Sequence, residues 1–254
     1  MSQDIAHESQ LLVTHAGGVA TLTLNHPDRR NALTLDMYRA MTAAIHAAHH
    51  DPVTRVVVLS GADGYFTAGN DLGDFVGYEK RGEFVALTFL QALAACSKPV
   101  VAAVERGAIG VGATMLQHCD FVYAGRSTRF SLPFINFGLC VEGGTSLALA
   151  RGPMSRQVTR WLMLGEPFNA DEALAAGLLT AVLEDDTTLA QAHATAARLA
   201  TQPPEALQAT KALLQKARGP MHDTLAEEIA CFTDLLEGEF AQEQLRKFTS
   251  KAKR

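Results

Sequence analysis

Two glycine-bearing segments and one isolated glutamate are the parts of this chain whose residue types and spacing could do chemistry. The first segment is Gly61-Ala-Asp-Gly-Tyr-Phe66-Thr-Ala68-Gly69-Asn70-Asp71-Leu72; the second is Arg106-Gly107-Ala-Ile-Gly110-Val111-Gly112-Ala113. Each follows a run that reads as a buried strand, RVVVLS at residues 55–60 and PVVAAV at residues 99–104. Small residues leave backbone N–H groups open to a close ligand, and the second segment opens a helical pattern, so both suit negative charge. Two such amides converging on one point make an oxyanion hole. Tight turns and close helix–sheet packing explain the same glycines equally well. Glu142 is the only acid between Asp120 and Glu166, in a segment carrying Phe134, Phe137, Leu139 and Val141. Desolvation there raises a carboxyl pKa and makes a general base. The competing reading is an acid before a helix over residues 145–150, where the helix dipole lowers the pKa.

The elements that must position these residues follow from periodicity. Residues 11–14 and Val19–Leu24 read as strands joined by the turn signal His15-Ala16-Gly17-Gly18. Thr34 opens a helix to His50, with Leu35, Tyr38, Met41, Ile45 and Ala48 on one face. Strands at 55–60, 99–104 and 119–124, with a helix over 81–96 between the first two, predict an α/β core with both sheet faces covered. From about residue 151 helices dominate, at 154–164, 171–176, 188–200, 204–216 and 221–236, with one strand-like piece at 178–183. Surplus apolar faces on such helices commonly meet another subunit.

Composition narrows the function classes. The chain has 254 residues, 48% hydrophobic and 19% charged, which is enough apolar material for a sizeable core. A formal charge of −5 gives no cationic field for nucleic acid or an anionic membrane. Asp4 and Glu8 interrupt the N-terminus, so no secretory signal is expected, and no apolar run approaches bilayer length. Cys96, Cys119, Cys140 and Cys231 are dispersed, without C-x-x-C or zinc spacing, and read as small hydrophobes in a reducing, cytoplasmic compartment. His49, His50 and Asp51 read as a helix end, so no metal site is expected. No P-loop, dinucleotide fingerprint, G-x-S-x-G elbow or H-E-x-x-H motif is present.

The run G-x-x-x-x-F-T-A-G-N-D-L, the later S-K-P-V-V-A-A-V-x-x-G-x-x-G-x-G-A and C-D-F-V-Y-A together resemble the crotonase superfamily of enoyl-CoA hydratases and isomerases. L-N-H-P-D-R-R-N-A-L and G-E-P-F-N-A-D-E-A-L-A-A-G-L extend the resemblance over nearly the whole chain. It implies an α/β spiral of repeated ββα units over residues 1–200 and a helical oligomerisation region over 201–254, assembled as a homotrimer or homohexamer. It also implies an acyl-CoA substrate, coenzyme A being part of that substrate, with no separate cofactor. The oxyanion amides fall on Ala68 and Val111, where the family usually has glycine at the second position. An amide survives any side chain but proline.

The two glutamates of the family's hydratases match Thr114 and Phe134, neither of which is an acid. The single carboxylate of the Δ3,Δ2-enoyl-CoA isomerases matches Glu142, with Val141 in place of a proline. The resemblance therefore implies a one-base allylic shift from 3-enoyl-CoA to 2-enoyl-CoA. Its rivals are a hydratase with a diverged site and a non-catalytic acyl-CoA-binding subunit. Substrate-binding positions are Arg29 and Arg30 near the CoA phosphates, with Asn70, Leu72, Gly110 and Phe134, and Phe248 and Lys251 reaching from a neighbouring subunit. Phe75, Tyr78, Phe84 and Leu87 fall where the family lines its acyl channel, and Asp71 reads as a helix cap.

Overall fold

The computed structural model describes residues 9–79 and 84–252. Strands β1 (Leu11–Ala16), β2 (Val19–Leu24), β3 (Val56–Gly61) and β4 (Val100–Val104) are followed by short β5 (Gly107–Ile109), then β6 (Phe121–Gly125), β7 (Arg129–Ser131), β8 (Phe168–Asn169) and β9 (Ala181–Leu183). The main sheet has the order β1-β2-β3-β4-β6-β9, antiparallel only between β1 and β2. The strands β5, β7 and β8 form a second, small sheet.

Every residue of β4 is buried, because both faces of the sheet are covered. Alternate residues serve different cores. Val57, Leu59, Val100 and Ala102 face the larger cluster with Met37, Tyr38, Phe89 and Leu90. Val56, Val58, Val101 and Ala103 face Ala192 and Ala196 on the other side. Helices α1 (Leu35–His50) and α2 (Val85–Ala95) cover the first face. The single turn α3 (Val111–Thr114) leads out of β5. Next come α4 (Thr145–Ala148), α5 (Ser155–Leu164), α6 (Ala170–Ala175) and α7 (Thr188–Ala200), the last packing across β3, β4 and β6. Then follow α8 (Pro204–Ala217), α9 (Met221–Leu236) and α10 (Glu239–Ala252).

Caps sit where the sequence places them. Thr34 accepts from the Met37 amide at 3.2 Å and starts α1. Asp71 accepts from the Gly73 amide at 3.0 Å and caps the 3-10 turn Leu72–Phe75. His49 accepts from the Ser97 amide, in the turn after α2, at 3.1 Å, and Asp51 accepts from Val53, in the turn after α1, at 2.9 Å.

The small sheet has no counterpart in the sequence pattern, since two- and three-residue strands carry no readable period. Residues 239–252, which include Arg246, Lys247 and Lys251, form helix α10, which packs on the turns Leu72–Phe75 and Pro133–Phe137; Ala241 and Leu245 supply its buried stripe. The helix expected from residue 81 begins at Val85, and Arg81 lies outside the described residues, as do Asp4, Glu8, Lys253 and Arg254. Among the described residues, no helix is long and apolar enough to cross a membrane.

Candidate active site

The two glycine-bearing loops meet. Thr67 and Ala108 form a parallel bridge in which Thr67 donates to the Gly107 carbonyl at 3.1 Å and Ile109 donates to the Thr67 carbonyl at 3.2 Å. Gly69, at φ +85°, lies where a Cβ would stand 2.5 Å from the Ile109 carbonyl oxygen. A Cβ on Gly112 would stand 2.4 Å from Thr67 Cγ2. Close packing therefore explains these two glycines, and that packing brings the two backbones together.

One of the expected oxyanion donors is corrected. The Ala68 amide donates to the Arg30 carbonyl at 2.9 Å and has no hydrogen left for a ligand. Two residues further on, the Asn70 amide is left without an acceptor. Leu33 donates to the Gly69 carbonyl at 2.8 Å and accepts from Asp71 at 2.9 Å, so the N–H of Asn70 between them points away from Leu33. Among the described residues no acceptor takes the Asn70 amide, and none takes the amide of Val111, the first residue of α3. The preceding Gly110 adopts φ +55°, ψ −122°, a conformation that favours glycine, and its own amide is used by the Ser131 carbonyl at 2.8 Å.

Asn70 and Val111 border a cavity of about 470 Å³ whose other walls are largely apolar. Phe134, Phe75 and Phe232 line it together with Leu236, Leu245 and Phe248 of the C-terminal helices. The rings of Phe134 and Phe232 meet edge-on, centroids 6.2 Å apart, while Phe75, Phe84 and Tyr78 continue this aromatic wall outward.

Glu142 is not among the residues that line this cavity. Its Oε1 accepts the Thr114 hydroxyl at 2.6 Å, and Thr114 in turn sits one turn beyond Val111. No protein group bonds Oε2 among the described residues, and the residue is 3% exposed. Burial raises the Glu142 pKa to about 7, assisted by the negative charge of Glu228 and opposed by the Thr114 hydrogen bond. The helix begins at Thr145, as the dipole reading expects, but burial raises the Glu142 pKa where that reading lowers it. Tyr38 links this carboxyl to the loop, since its hydroxyl donates to the Asn70 Oδ1 and its phenol pKa is raised by burial and by the Glu142 charge.

A polar strap fixes residues 142–146. Thr145 Oγ1 donates to the Glu142 carbonyl at 2.8 Å, and Gln117 donates to Thr145 Oγ1 at 2.6 Å. His118 Nε2 donates to the Gly143 carbonyl at 2.9 Å, and burial lowers the His118 pKa to about 4, so the ring is neutral. Glu228, from α9, accepts the amides of Gly144 at 2.6 Å and Ser146 at 2.9 Å.

The other expected residues divide. Leu72, Asn70, Gly110 and Phe134 line the cavity, and Arg29 stands at its rim, with Nη1 4.0 Å from Asp71 Oδ2. Arg30 does not line it; its guanidinium lies 5.9 Å over the Tyr65 ring, so only its carbonyl serves the site. Phe248 reaches the cavity of its own chain, its ring 5.7 Å from that of Phe137. Lys251, on the last turn of α10, is exposed and outside the lining. Glu228 was missed, although a signal existed: a lone acid on the buried stripe Leu225, Glu228, Ile229, Phe232. Cys140 and Cys231, dispersed in sequence, are neighbours in space.

A parallel sheet wrapped by helices, with undonated loop amides facing an apolar cavity, defines an α/β fold of the crotonase type. The family described as enoyl-CoA hydratase/isomerase matches residues 14–254. The chain is 33% identical over 246 residues to 2,3-dehydroadipyl-CoA hydratase of Escherichia coli, covering 96% of both proteins. It is 32% identical over 219 residues to enoyl-CoA delta isomerase 2 of Rattus norvegicus, covering 83% of this chain but 56% of that protein. The solved structure of Pseudomonas aeruginosa OdaA superposes with a TM-score of 0.89 at 38% identity, covering 95% of this chain and 99% of that one. The chain belongs to the enoyl-CoA hydratase/isomerase family.

Proposed function

We propose that this protein moves the double bond of a 3-enoyl-CoA into conjugation with its thioester, giving the 2-enoyl-CoA, by proton transfer through one base. The observation that carries this reading is the buried carboxyl of Glu142, held by the Thr114 hydroxyl of the turn that Val111 opens, with its pKa raised to about 7. Phe134, 7% exposed, fills the place where a hydratase would hold an acid, and its edge contact with Phe232 leaves that wall without a group to activate water.

In this reading the thioester oxygen accepts from the amides of Asn70 and Val111. Oε2 of Glu142 takes a proton from the carbon between thioester and double bond, and the C–H electron pair passes into a dienolate. The same carboxyl returns the proton at the far allylic carbon, so atoms and charge balance without a further cofactor. Each oxyanion amide contributes about 3 kcal/mol to the transition state, and the general base about 10²–10⁴-fold. The thioester enters past Arg29, whose charge faces the CoA phosphates at the rim. Exposed Met163 and Leu164 of α5 with Leu213 and Leu214 of α8 offer apolar surface for a homotrimer or homohexamer, which sedimentation velocity tests; a monomer removes that assembly.

The alternative is hydration of a 2-enoyl-CoA with Glu142 alone, favoured by the full-length similarity to a hydratase. A panel of 2- and 3-enoyl-CoAs, with hydration and bond migration followed separately, decides between them. Bond migration exceeding hydration is expected; water addition as the faster reaction overturns the isomerase reading.

A further inference from the structure

We propose that Glu228 is a positioning residue for Glu142, holding it in place through the 142–146 strap. This rests on Glu142 being the base. The geometry is specific. Glu228 arrives from α9, 84 and 82 residues from the amides it accepts, and both of its oxygens are used, one on Gly144 and one on Ser146. Those amides follow Glu142 by two and four residues. Gly143 and Gly144 adopt φ +77° and +79°, and a Cβ on either would collide with Thr114 or Met221, so the turn leaving Glu142 has one shape that fits. Glu228 is 8% exposed although it lies on an apolar helix face. A buried carboxylate needs partners, and here they are backbone donors of the loop that carries the base.

No basic side chain pairs with either acid among the described residues. The groups facing Glu142 are the Thr114 hydroxyl from α3, the Tyr38 phenol from α1 and Glu228 from α9. Around the strap stand the neutral His118, whose pKa is lowered further by Arg218 and Lys211, and the Cys140 thiol, which donates to the Glu228 carbonyl at 3.8 Å beside Cys231. Burial pushes the Cys140 thiol up to about 12, which leaves it uncharged. Glu228 is thus the acid that faces Glu142 across the strap.

The test titrates Glu142 directly by its infrared carboxyl band, assigned through its loss in Glu142→Gln, in the wild type, Glu228→Gln and Glu228→Asp. Glu228→Gln is expected to move the Glu142 midpoint down by a fraction of a pH unit, since the Glu228 charge is the smallest of the three influences on it. The acid limb of kcat/KM should move with it, and kcat on the plateau should fall about 10- to 100-fold from misplacement, KM changing less. Glu228→Asp keeps the charge and should bring the midpoint most of the way back. A loss of rate with an unmoved midpoint, or no change in either, overturns the proposal. Amide exchange of the wild type decides the matter if the variants do not fold: the Gly144 and Ser146 amides should be protected like helix core, and rapid exchange there overturns the anchoring. Should Glu142→Gln retain full isomerisation, the function reading fails while midpoint and exchange still decide the coupling.

Discussion

The cavity and the 142–146 strap are built by opposite rules. The cavity is apolar and aromatic, and its two useful polar groups, the Asn70 and Val111 amides, are left without protein partners. In the strap most polar groups have one: Glu142 Oε1 takes Thr114, Glu228 takes two amides and His118 takes the Gly143 carbonyl, while Gln117 Oε1 is left without a partner among the described residues. Undonated amides in an apolar pocket are strong donors for charge that appears there during reaction. A satisfied network holds a carboxyl in one place and fixes how tightly it keeps its proton. One region stores hydrogen-bonding capacity; the other uses it up to define a geometry.

Breaking each region should therefore have a different signature. The largest effect is expected for Glu142→Gln, which removes the base and keeps the shape. Turnover of 3-enoyl-CoA should fall at least about 10²–10⁴-fold with binding nearly intact, measured by steady-state rates and acyl-CoA titration. Next comes Gly69→Ala. Its Cβ would stand 2.5 Å from the Ile109 carbonyl at a φ of +85°, so the two loops must part and the amides lose alignment. A loss of about 10²-fold in kcat is expected, with the pH profile unchanged.

Stability gives a third comparison. Between pH 4.5 and 7 the unfolded chain has released the Glu142 proton while the native protein keeps it, so the native state binds more protons and stability falls as pH rises. The loss reaches at most about 3 kcal/mol above pH 7. His118 acts in the other direction: held neutral with a pKa of about 4 against 6.5 unfolded, it makes stability rise with pH between those values. Glu142→Gln removes only the first, so its unfolding free energy should exceed that of the wild type at pH 8 and converge with it near pH 4.5 in denaturant titrations. The smallest effect is expected for Thr114→Val, which deletes the one bond that lowers the Glu142 pKa. The acid limb should move to higher pH, opposite to Glu228→Gln, and the rate at pH 6 should drop several-fold.

Much of the fold is legible because its signals are local. Thr34 before an apolar stripe gives α1, and the valine-rich runs at 56–61 and 100–104 give the central strands. The small sheet β5-β7-β8 is not legible, since its strands exist only through pairing with distant partners. Helix α10 is hidden by its basic surface residues, yet Leu245 and Phe248 place its apolar stripe on the cavity. Within the site, Glu142 stands out as one acid in an apolar run. The identity of the free amide does not: Ala68 and Asn70 are two residues apart, and only the bond from Ala68 to Arg30 and the bridge at Leu33 decide between them.

Composition and local pattern on their own thus fixed the α/β class, the two glycine loops and the lone acid, because propensity, capping and hydrophobic period act over a few residues. Which N–H groups remain undonated, and that a glutamate on α9 reaches back to steady residues 142–146, were decided by tertiary structure. Hydrogen-bond satisfaction and desolvation are properties of what surrounds an atom in space, and the chain brings those surroundings from residues far apart in sequence.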